Sequence, residues 1–219
     1  MNQVKKYLTL LAIAFVILIH PVSSLAGQGG RQVIQEVSDV SLDELSAPEI
    51  ENLTYMREEE KLARDVYLTM FETWGLSIFE NIASSEQSHT DAVATMLDKY
   101  KLPDPVVDDR IGIFMNQELA HLYETLLARG YQSSLEALFV GGLIEEVDMV
   151  DLKRAIEETD NEDIRELYES LLRGSRNHLR AFVGQIENLG IVYEAQFLSQ
   201  EEVDAIVDSP IERSSASRS

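Results

Sequence analysis

Residues 78–100 read IFENIASSEQSHTDAVATMLDKY, and this stretch decides the fold. Its apolar residues recur with the spacing of one helical face, at Phe79, Ile82, Val93, Met96, Leu97 and Tyr100. Glu86 and His89 fall on the same face, because residues three apart lie on one side of a helix. A charged group that points toward a core needs a compensating partner. A metal ion can be that partner, since four-helix metal bundles present Glu-x-x-His pairs as ligands.

The chain before this stretch predicts a second helix that packs against it. This helix extends from about Pro48 to Trp74, with Ser46 near its N-terminal cap and Gly75 at its end. Its apolar face consists of Leu53, Met56, Ala63, Tyr67 and Met70. Glu60 occupies the missing step of that series, so it also points toward the predicted core.

The short connection between these two helices predicts an antiparallel hairpin. Glu60 lies about fifteen residues before the turn, and Glu86 and His89 lie about eleven to fourteen residues after it, so the three side chains reach similar depths. Two alternatives stay open on the first helix. Glu59 is one position round and shares the face in a slightly different register, and Glu58 to Glu60 also fit a solvated charge run.

A second pair of helices, over about 133–158 and 162–189, follows the same plan. Their apolar stripes are Leu135, Leu138, Met149, Leu152 and Ile156 on the first helix, and Ile164, Leu167, Leu171, Phe182, Ile186 and Leu189 on the second. Glu145 lies in the first stripe and His178 in the second, about fifteen residues before and about eighteen after the turn. Their depths therefore also agree. Glu146 is the competing choice if the register shifts by one residue.

The connection between the two hairpins, residues 101–133, is interrupted by prolines and a glycine and contains one short helix over 116–129. This helix carries a second Glu-x-x-His pair, Glu118 and His121. Its apolar side is defined by Leu119, Leu122, Tyr123 and Leu126. Glu118 and His121 fall at the edge of that side or outside it, so we interpret this pair as a surface coincidence.

Two helical hairpins joined by a long connection predict an all-α fold, a ferritin-like antiparallel four-helix bundle with a long crossover that contains a short extra helix. The bundle covers residues 47–208, and residues 209–219 are predicted to be a disordered tail. The polar side chains on the inner faces form a candidate metal site of Glu60, Glu86, His89, Glu145 and His178.

The composition limits the partners and the metals. The chain has 39 Asp and Glu against 18 Lys and Arg, for a formal net charge of -21. This balance argues against nucleic acid and anionic membrane surfaces, which need basic patches, and favours metal cations as partners. The chain has no cysteine, so any metal site consists of oxygen and imidazole ligands. Such ligands suit iron, manganese or zinc.

Residues 1–26 carry the pattern of a secretory signal peptide. Lys5 and Lys6 precede an apolar run, and small residues lead to a predicted cleavage after Ala26. We therefore expect an exported protein, periplasmic or extracellular, with residues 27–46 as a flexible N-terminal arm and no membrane association after cleavage. An uncleaved N-terminal anchor is the alternative, and it also exports the domain.

Four segments carry a resemblance to known families. EKLARDVY at residues 60–67 resembles the first helix of rubrerythrin-type diiron proteins, and Glu86-x-x-His89 resembles their second helix. The longer strings MREEEKLARDVY, IASSEQSH, LIEEVDMVDL and GSRNHLRAF together resemble an uncharacterised ferritin-like domain family of bacteria and archaea. The resemblance covers about residues 53–207 and implies that the five candidate residues match diiron ligand positions.

One position departs from the rubrerythrin pattern. The resemblance implies a carboxylate three residues before His178, and this chain has Ser175 there. A complete dinuclear site uses about four carboxylates and two histidines. Asp148 and Glu59 are both candidates for the missing carboxylate, and a single-metal site is the alternative. The chain also lacks the cysteine module with which rubrerythrins transfer electrons.

The sequence thus predicts an exported ferritin-like protein that binds one or two ions of iron or manganese through Glu and His. Oxidase, peroxidase and metal-handling roles all fit, and whether the protein is an enzyme stays open. The alternative is a non-enzymatic helical module, for interaction or structure, whose Glu, His and Ser form a metal-free hydrogen-bond network. A homo-oligomer is compatible with either prediction, because bundles of this kind often associate.

Overall fold

The structure, a computed structural model, describes residues 45–213 and contains no strand in that range. Its helices are α1 (Ala47–Trp74), α2 (Ser77–Lys99), α3 (Gln117–Gly130), α4 (Ser134–Glu157), α5 (Glu162–Asn188) and α6 (Gln200–Val207). The predicted all-α class is confirmed. The predicted signal peptide and nearly all of the N-terminal arm lie outside the described residues. Within 45–213, no helix is both long enough and apolar enough to cross a membrane.

The first hairpin begins and ends where its capping residues place it. Ser46 forms a capping box with Glu49 at the start of α1, so two backbone donors of the first turn find acceptors. Gly75 ends α1 in the left-handed region at a φ of 66°, and its N–H donates to the carbonyl of Phe71 at 2.8 Å. Only Gly75 and Leu76 separate α1 from α2, which forces the two helices to run antiparallel.

The four long helices form an antiparallel bundle. α1 packs on α2, and α4 packs on α5, while α2 also contacts α5 and α1 contacts α4. The connection between the hairpins carries α3, which packs against α1 and α4. This is the predicted four-helix arrangement with a long crossover, and it leaves each long helix with an inner face toward the other three.

Two apolar layers enclose the middle of the bundle. One consists of Leu53, Met56, Val93, Leu97, Leu152, Ala155, Ile164, Tyr168 and Leu171, which come from all four long helices. The other contains the rings of Tyr67, Phe79 and Phe182, with centroids 5.3 to 6.3 Å apart. The polar candidate residues lie between these layers on every long helix. Burial of each large apolar side chain contributes about 1.5–3 kcal/mol, so the layers fix the middle of the bundle.

The solvated charge run proposed as an alternative for Glu58 to Glu60 is wrong, because all three side chains are buried. The crossover covers the outer face of α1. Glu58 accepts hydrogen bonds from the backbone N–H groups of Met115 at 2.5 Å and Asn116 at 3.0 Å. The first helix is therefore buried on its polar side as well as on its apolar side, which periodicity alone does not indicate.

Charged pairs complete this covered face. Lys61 and Asp65 are fully buried and lie 2.5 Å apart, and Lys61 also donates to the carbonyl of Arg110 at 2.9 Å. Arg64 contacts Asp109 of the crossover at 2.8 Å. The buried positive charges of Lys61 and Arg64 thus both have acidic partners, which is the condition under which a buried ion is tolerated.

The last described residues contact α5, although the sequence predicts a tail from residue 209. Glu212 accepts hydrogen bonds from Arg176 at 2.5 and 2.7 Å and from Arg180 at 2.9 Å. Arg180 also donates to the hydroxyl of Ser209 at 2.6 Å. The bundle therefore extends past the predicted boundary at 208, because Arg176 and Arg180 on α5 hydrogen-bond to residues that follow α6. Residues 214–219 lie outside the described part.

Candidate metal centre

The structure brings the five predicted residues together in the middle of the bundle. They form two groups that share Glu86, one with Glu60 and His89 and the other with Glu145 and His178. Within each group the candidate ligand atoms all lie within 4.8 Å of one another. The antiparallel helices place them at one level, as equal depth along the helix axis predicts.

Glu86 occupies the centre of the cluster and is only 2 % exposed. Its Oε2 lies 2.8 Å from Nδ1 of His89, and its Oε1 lies 2.7 Å from Nδ1 of His178. A second carboxylate reaches each imidazole: Glu60 Oε2 lies 3.2 Å from the first, and Glu145 Oε2 lies 3.5 Å from the second. Each ring nitrogen therefore faces two carboxylates, and one of these carboxylates is common to both rings.

Buried polar atoms without hydrogen-bond partners are concentrated at this cluster. Among the described residues they are Glu59 Oε2, Glu60 Oε1, Asp148 Oδ1, Tyr168 Oη and His178 Nδ1, the last of which has an ion-pair contact with Glu86 at 2.7 Å. All but the tyrosine belong to the cluster or its immediate surroundings. An unsatisfied buried polar group costs about 1–3 kcal/mol, so such a concentration requires an explanation, and an ion that binds there would supply one.

The pKa values of the cluster reflect the burial of several carboxylates and two imidazoles close together. Burial raises the pKa of Glu60 to about 7, although His89 lowers it. Burial also raises the pKa of Glu145. Burial disfavours the charged form of Glu86 as well, but the two histidines together outweigh it and hold the pKa of this carboxyl well below its usual range. Glu86 is thus the ionised carboxylate of the cluster.

Both imidazoles are basic for the same reason. Burial lowers the pKa of His178, but Glu86 and Glu145 outweigh it and raise the value to about 10. Glu86 and Glu60 likewise raise the pKa of His89 well above its ordinary value, against the effect of burial. A strongly perturbed pKa in a buried cluster is typical of a functional site.

Two residues that the sequence reasoning missed orient the histidines. The Ser85 hydroxyl lies 2.8 Å from Nε2 of His178, so the ring nitrogen that faces away from the carboxylates has a partner of its own. Gly174 on α5 makes room for His89, because a Cβ at this position would collide with Nε2 and Cε1 of the ring. A histidine that binds a metal almost always has a hydrogen-bond partner on its other ring nitrogen, as His178 has in Ser85. Ser85 is next to Glu86 in the sequence, and this position was a signal that could have identified it. The contact between Gly174 and His89 joins two hairpins, so only the tertiary structure shows it.

Tyr67 combines a core role with a contact to the cluster. It is fully buried and donates a hydrogen bond from its hydroxyl to Oε1 of Glu145 at 2.5 Å. Burial and then the charge of Glu145 raise the pKa of this tyrosine well above its ordinary value, so it stays protonated and serves as a donor.

The neighbouring acids separate from the cluster. Glu146 accepts from the Tyr193 hydroxyl at 2.7 Å and from backbone N–H groups of residues 196–198. Glu59 hydrogen-bonds to Asp151, which carries an ion pair with Arg154 at 2.9 Å. Glu60 and Glu145 are therefore the acids of these two runs that face the histidines. The other Glu-x-x-His pair, Glu118 and His121, is exposed on α3.

The chemistry of the donors fits a transition-metal ion. Three carboxylates and two imidazoles are the donors that iron, manganese and zinc accept, and two donor groups with one shared carboxylate suit two ions. The five side chains come from packed helices, and within each group their candidate ligand atoms lie within 4.8 Å of one another. The arrangement thus defines an all-α bundle with a buried carboxylate and histidine cluster, which is the class of protein that fold and site together describe.

The chain belongs to the family described as "Uncharacterized protein domain (DUF2202)", which it matches over residues 49–210. It is 49 % identical over 181 residues to the uncharacterized protein MJ0754 of Methanocaldococcus jannaschii, an alignment that covers 83 % of this chain and 98 % of the relative. The fold is similar to the crystal structure of hypothetical protein MJ0754, with a TM-score of 0.77 and 50 % identity over 80 % of this chain and 100 % of that chain. Membership of an uncharacterised family is thereby confirmed.

Proposed function

We propose that this protein is a ferritin-like metal-binding bundle that holds two transition-metal ions, iron or manganese, with Glu86 shared between them. The observation that carries the proposal is the geometry of Glu86, whose two oxygens lie 2.8 and 2.7 Å from the Nδ1 atoms of two different histidines. Each of those histidines also faces one further carboxylate. Glu86 would therefore contribute to holding both ions.

The distribution of ligands over the helices supports the proposal. Di-metal carboxylate bundles take one Glu from each of two helices and a Glu-x-x-His pair from each of the other two. Here Glu60 and Glu145 come singly from α1 and α4, and Glu86 and His89 form the pair on α2. The resemblance of residues 60–67 to the first helix of rubrerythrin-type proteins agrees with this distribution. His178 on α5 has Ser175 in place of the second acid.

When bound, the ions would supply redox and Lewis-acid chemistry toward dioxygen or peroxide, the chemistry of an oxidase or peroxidase, or would be stored and passed on. The chain's own residues prepare the ligands. The Tyr67 hydroxyl holds Glu145, the Ser85 hydroxyl holds the outer nitrogen of His178, and the apolar layers above and below exclude water. His89 is the most exposed of the five side chains, at 13 %, so we infer that a small molecule would reach the cluster from its side.

The test is the metal content of protein purified without chelators and then reconstituted with Fe(II) or Mn(II). We expect two ions per chain for the wild type and none for Glu86→Ala, because both groups lose their shared ligand. The matched control is Glu118→Ala with His121→Ala, which removes the exposed Glu-x-x-His pair and leaves two ions bound. A wild type that binds neither metal after reconstitution would overturn the proposal.

A second candidate follows from the basicity of the histidines. With the pKa of His178 raised to about 10, the protonated imidazoles and Glu86 also form a metal-free network of ion pairs. In that case Glu86→Ala would lower the melting temperature without any change in metal content, and a chelator would leave the wild type as stable as before. Oε1 of Glu60 has no hydrogen-bond partner in such a network, which favours the metal centre.

A further inference from the structure

The two Glu/His helices of the cluster differ at one position. On α2, Glu86 precedes His89 by three residues, and on α5 the position three residues before His178 holds Ser175. Ser175 is 1 % exposed and lies on the inner face beside His178. A serine hydroxyl carries no charge, so the α5 half of the cluster lacks the acid that the α2 half has.

The hydroxyl of Ser175 is directed at an acid from the neighbouring helix. It donates to Oδ2 of Asp148 at 2.5 Å. Asp148 is 6 % exposed, and its other oxygen, Oδ1, has no hydrogen-bond partner. One oxygen of this carboxylate is thus held in place, and the second is buried with its lone pairs unused.

Asp148 follows Glu145 by three residues on α4, so the two acids lie on the same side of this helix. Burial and then the charges of Glu60, Glu145 and Glu86 raise the pKa of the Asp148 carboxyl well above the usual value. Glu59, the other acid near the cluster, hydrogen-bonds instead to Asp151, whose side chain is 14 % exposed. Asp148 is therefore the additional acid that shares a side of α4 with Glu145 and is held by Ser175 of α5.

We propose that Asp148 supplies the fourth carboxylate of the metal centre, in place of the acid missing from position 175, and that Ser175 is its positioning residue. The inference rests on the proposed function. Charge supports it, because four carboxylates balance the four positive charges of two divalent ions, whereas three leave one uncompensated in a poorly solvated space. Compared with the rubrerythrin pattern, the fourth carboxylate would come from α4 instead of α5, and the hydroxyl of Ser175 would occupy the position on α5.

The experiment measures Mn(II) and Fe(II) stoichiometry and affinity for the full chain under anaerobic conditions. In Asp148→Asn we expect the second ion to bind at least about 100-fold more weakly, so that about one ion remains, while the metal-free protein stays folded. Ser175→Ala leaves the carboxylate in place but without its hydroxyl partner, and we expect about 10-fold weaker binding of the second ion, restored by Ser175→Thr. The matched control is Glu146→Gln, a buried acid on the same helix that leaves two ions bound.

A double variant separates a ligand from a structural acid. Asp148→Ser with Ser175→Glu returns the carboxylate to α5, and we expect two ions to bind again. Two ions of unchanged affinity in Asp148→Asn, or no recovery in the double variant, would overturn the role of Asp148 while the proposed function stands. A wild type without bound metal would instead overturn the proposed function, and this inference with it.

Discussion

Glu145 and Glu146 are adjacent on α4 and both are buried, but they have opposite surroundings. Glu146 points toward the chain between α5 and α6 and accepts hydrogen bonds from one hydroxyl and three backbone N–H groups. Glu145 points inward, where it meets the Tyr67 hydroxyl, His178 and other carboxylates. Glu146 is thus surrounded by hydrogen-bond donors, whereas Glu145 has one donor hydroxyl and lies close to other ionisable side chains.

The same contrast occurs on α1. Glu58 accepts two backbone N–H groups from the crossover, whereas Glu60, two positions later, has one oxygen without a partner. Backbone N–H groups stabilise a buried carboxylate directly, whereas carboxylates that face one another need a positive charge close to them. The outer acids therefore hold the crossover and the α5–α6 connection in place, whereas the inner acids cost stability in the metal-free chain, as the proposed metal centre requires.

The largest effect on stability is expected at an outer acid. Glu146→Ala leaves the Tyr193 hydroxyl and three backbone N–H groups without this acceptor, so we expect the free energy of unfolding to fall by about 3–5 kcal/mol, measured by urea denaturation. The metal stoichiometry of the folded fraction stays at that of the wild type. Glu187→Ala, an exposed acid on α5, serves as the control and changes stability by less than about 0.5 kcal/mol. If Glu146→Ala lost metal but not stability, the distinction between outer and inner acids would be contradicted.

An inner acid should show the opposite sign in the metal-free protein. The pKa of Glu60 in the folded chain, about 7, lies above its ordinary value of 4.5, so the folded state binds the proton more tightly and stability falls as the pH rises through this interval. Glu60→Gln removes that penalty. We expect metal-free Glu60→Gln to be more stable than the wild type by about 1–3 kcal/mol at pH 8, with the gain vanishing near pH 4.5. Denaturation curves at the two pH values check this, and a destabilised variant at pH 8 would assign Glu60 to the structural acids.

The smallest effect concerns the fit of His89. Gly174→Ala places a methyl group against its ring, and we expect about 10- to 100-fold weaker binding of the ion on the side of His89, measured by metal titration. Gly184→Ala on the same helix is the control, because a Cβ there meets nothing within 4 Å. Alanine is favoured over glycine in a helix by about 1 kcal/mol, so neither variant should be less stable unless the displaced ring disturbs the bundle. Equal metal affinity in the two variants would show that His89 does not need this space.

Local patterns in the sequence were sufficient for the helices. The predicted helix over residues 116–129 is observed as Gln117–Gly130, and the long helices begin and end within one or two residues of their predicted bounds. Ser46 and Gly75 cap α1 as predicted. Periodicity, caps and the fixed rise per residue act over a few residues, so one sequence contains them in full.

The sequence by itself thus determined the all-α class, the two hairpins and the common depth of Glu60, Glu86, His89, Glu145 and His178. Only the tertiary structure decided which buried acids have donors from distant segments, since Glu58 meets residues 115 and 116 and Glu146 meets residues 196–198. It also showed that Ser175 donates its hydroxyl to Asp148, whereas Glu59 hydrogen-bonds to Asp151. The physical reason is that helical spacing depends on neighbours along the chain, whereas the desolvation and pairing of a charge depend on what packs against it from elsewhere.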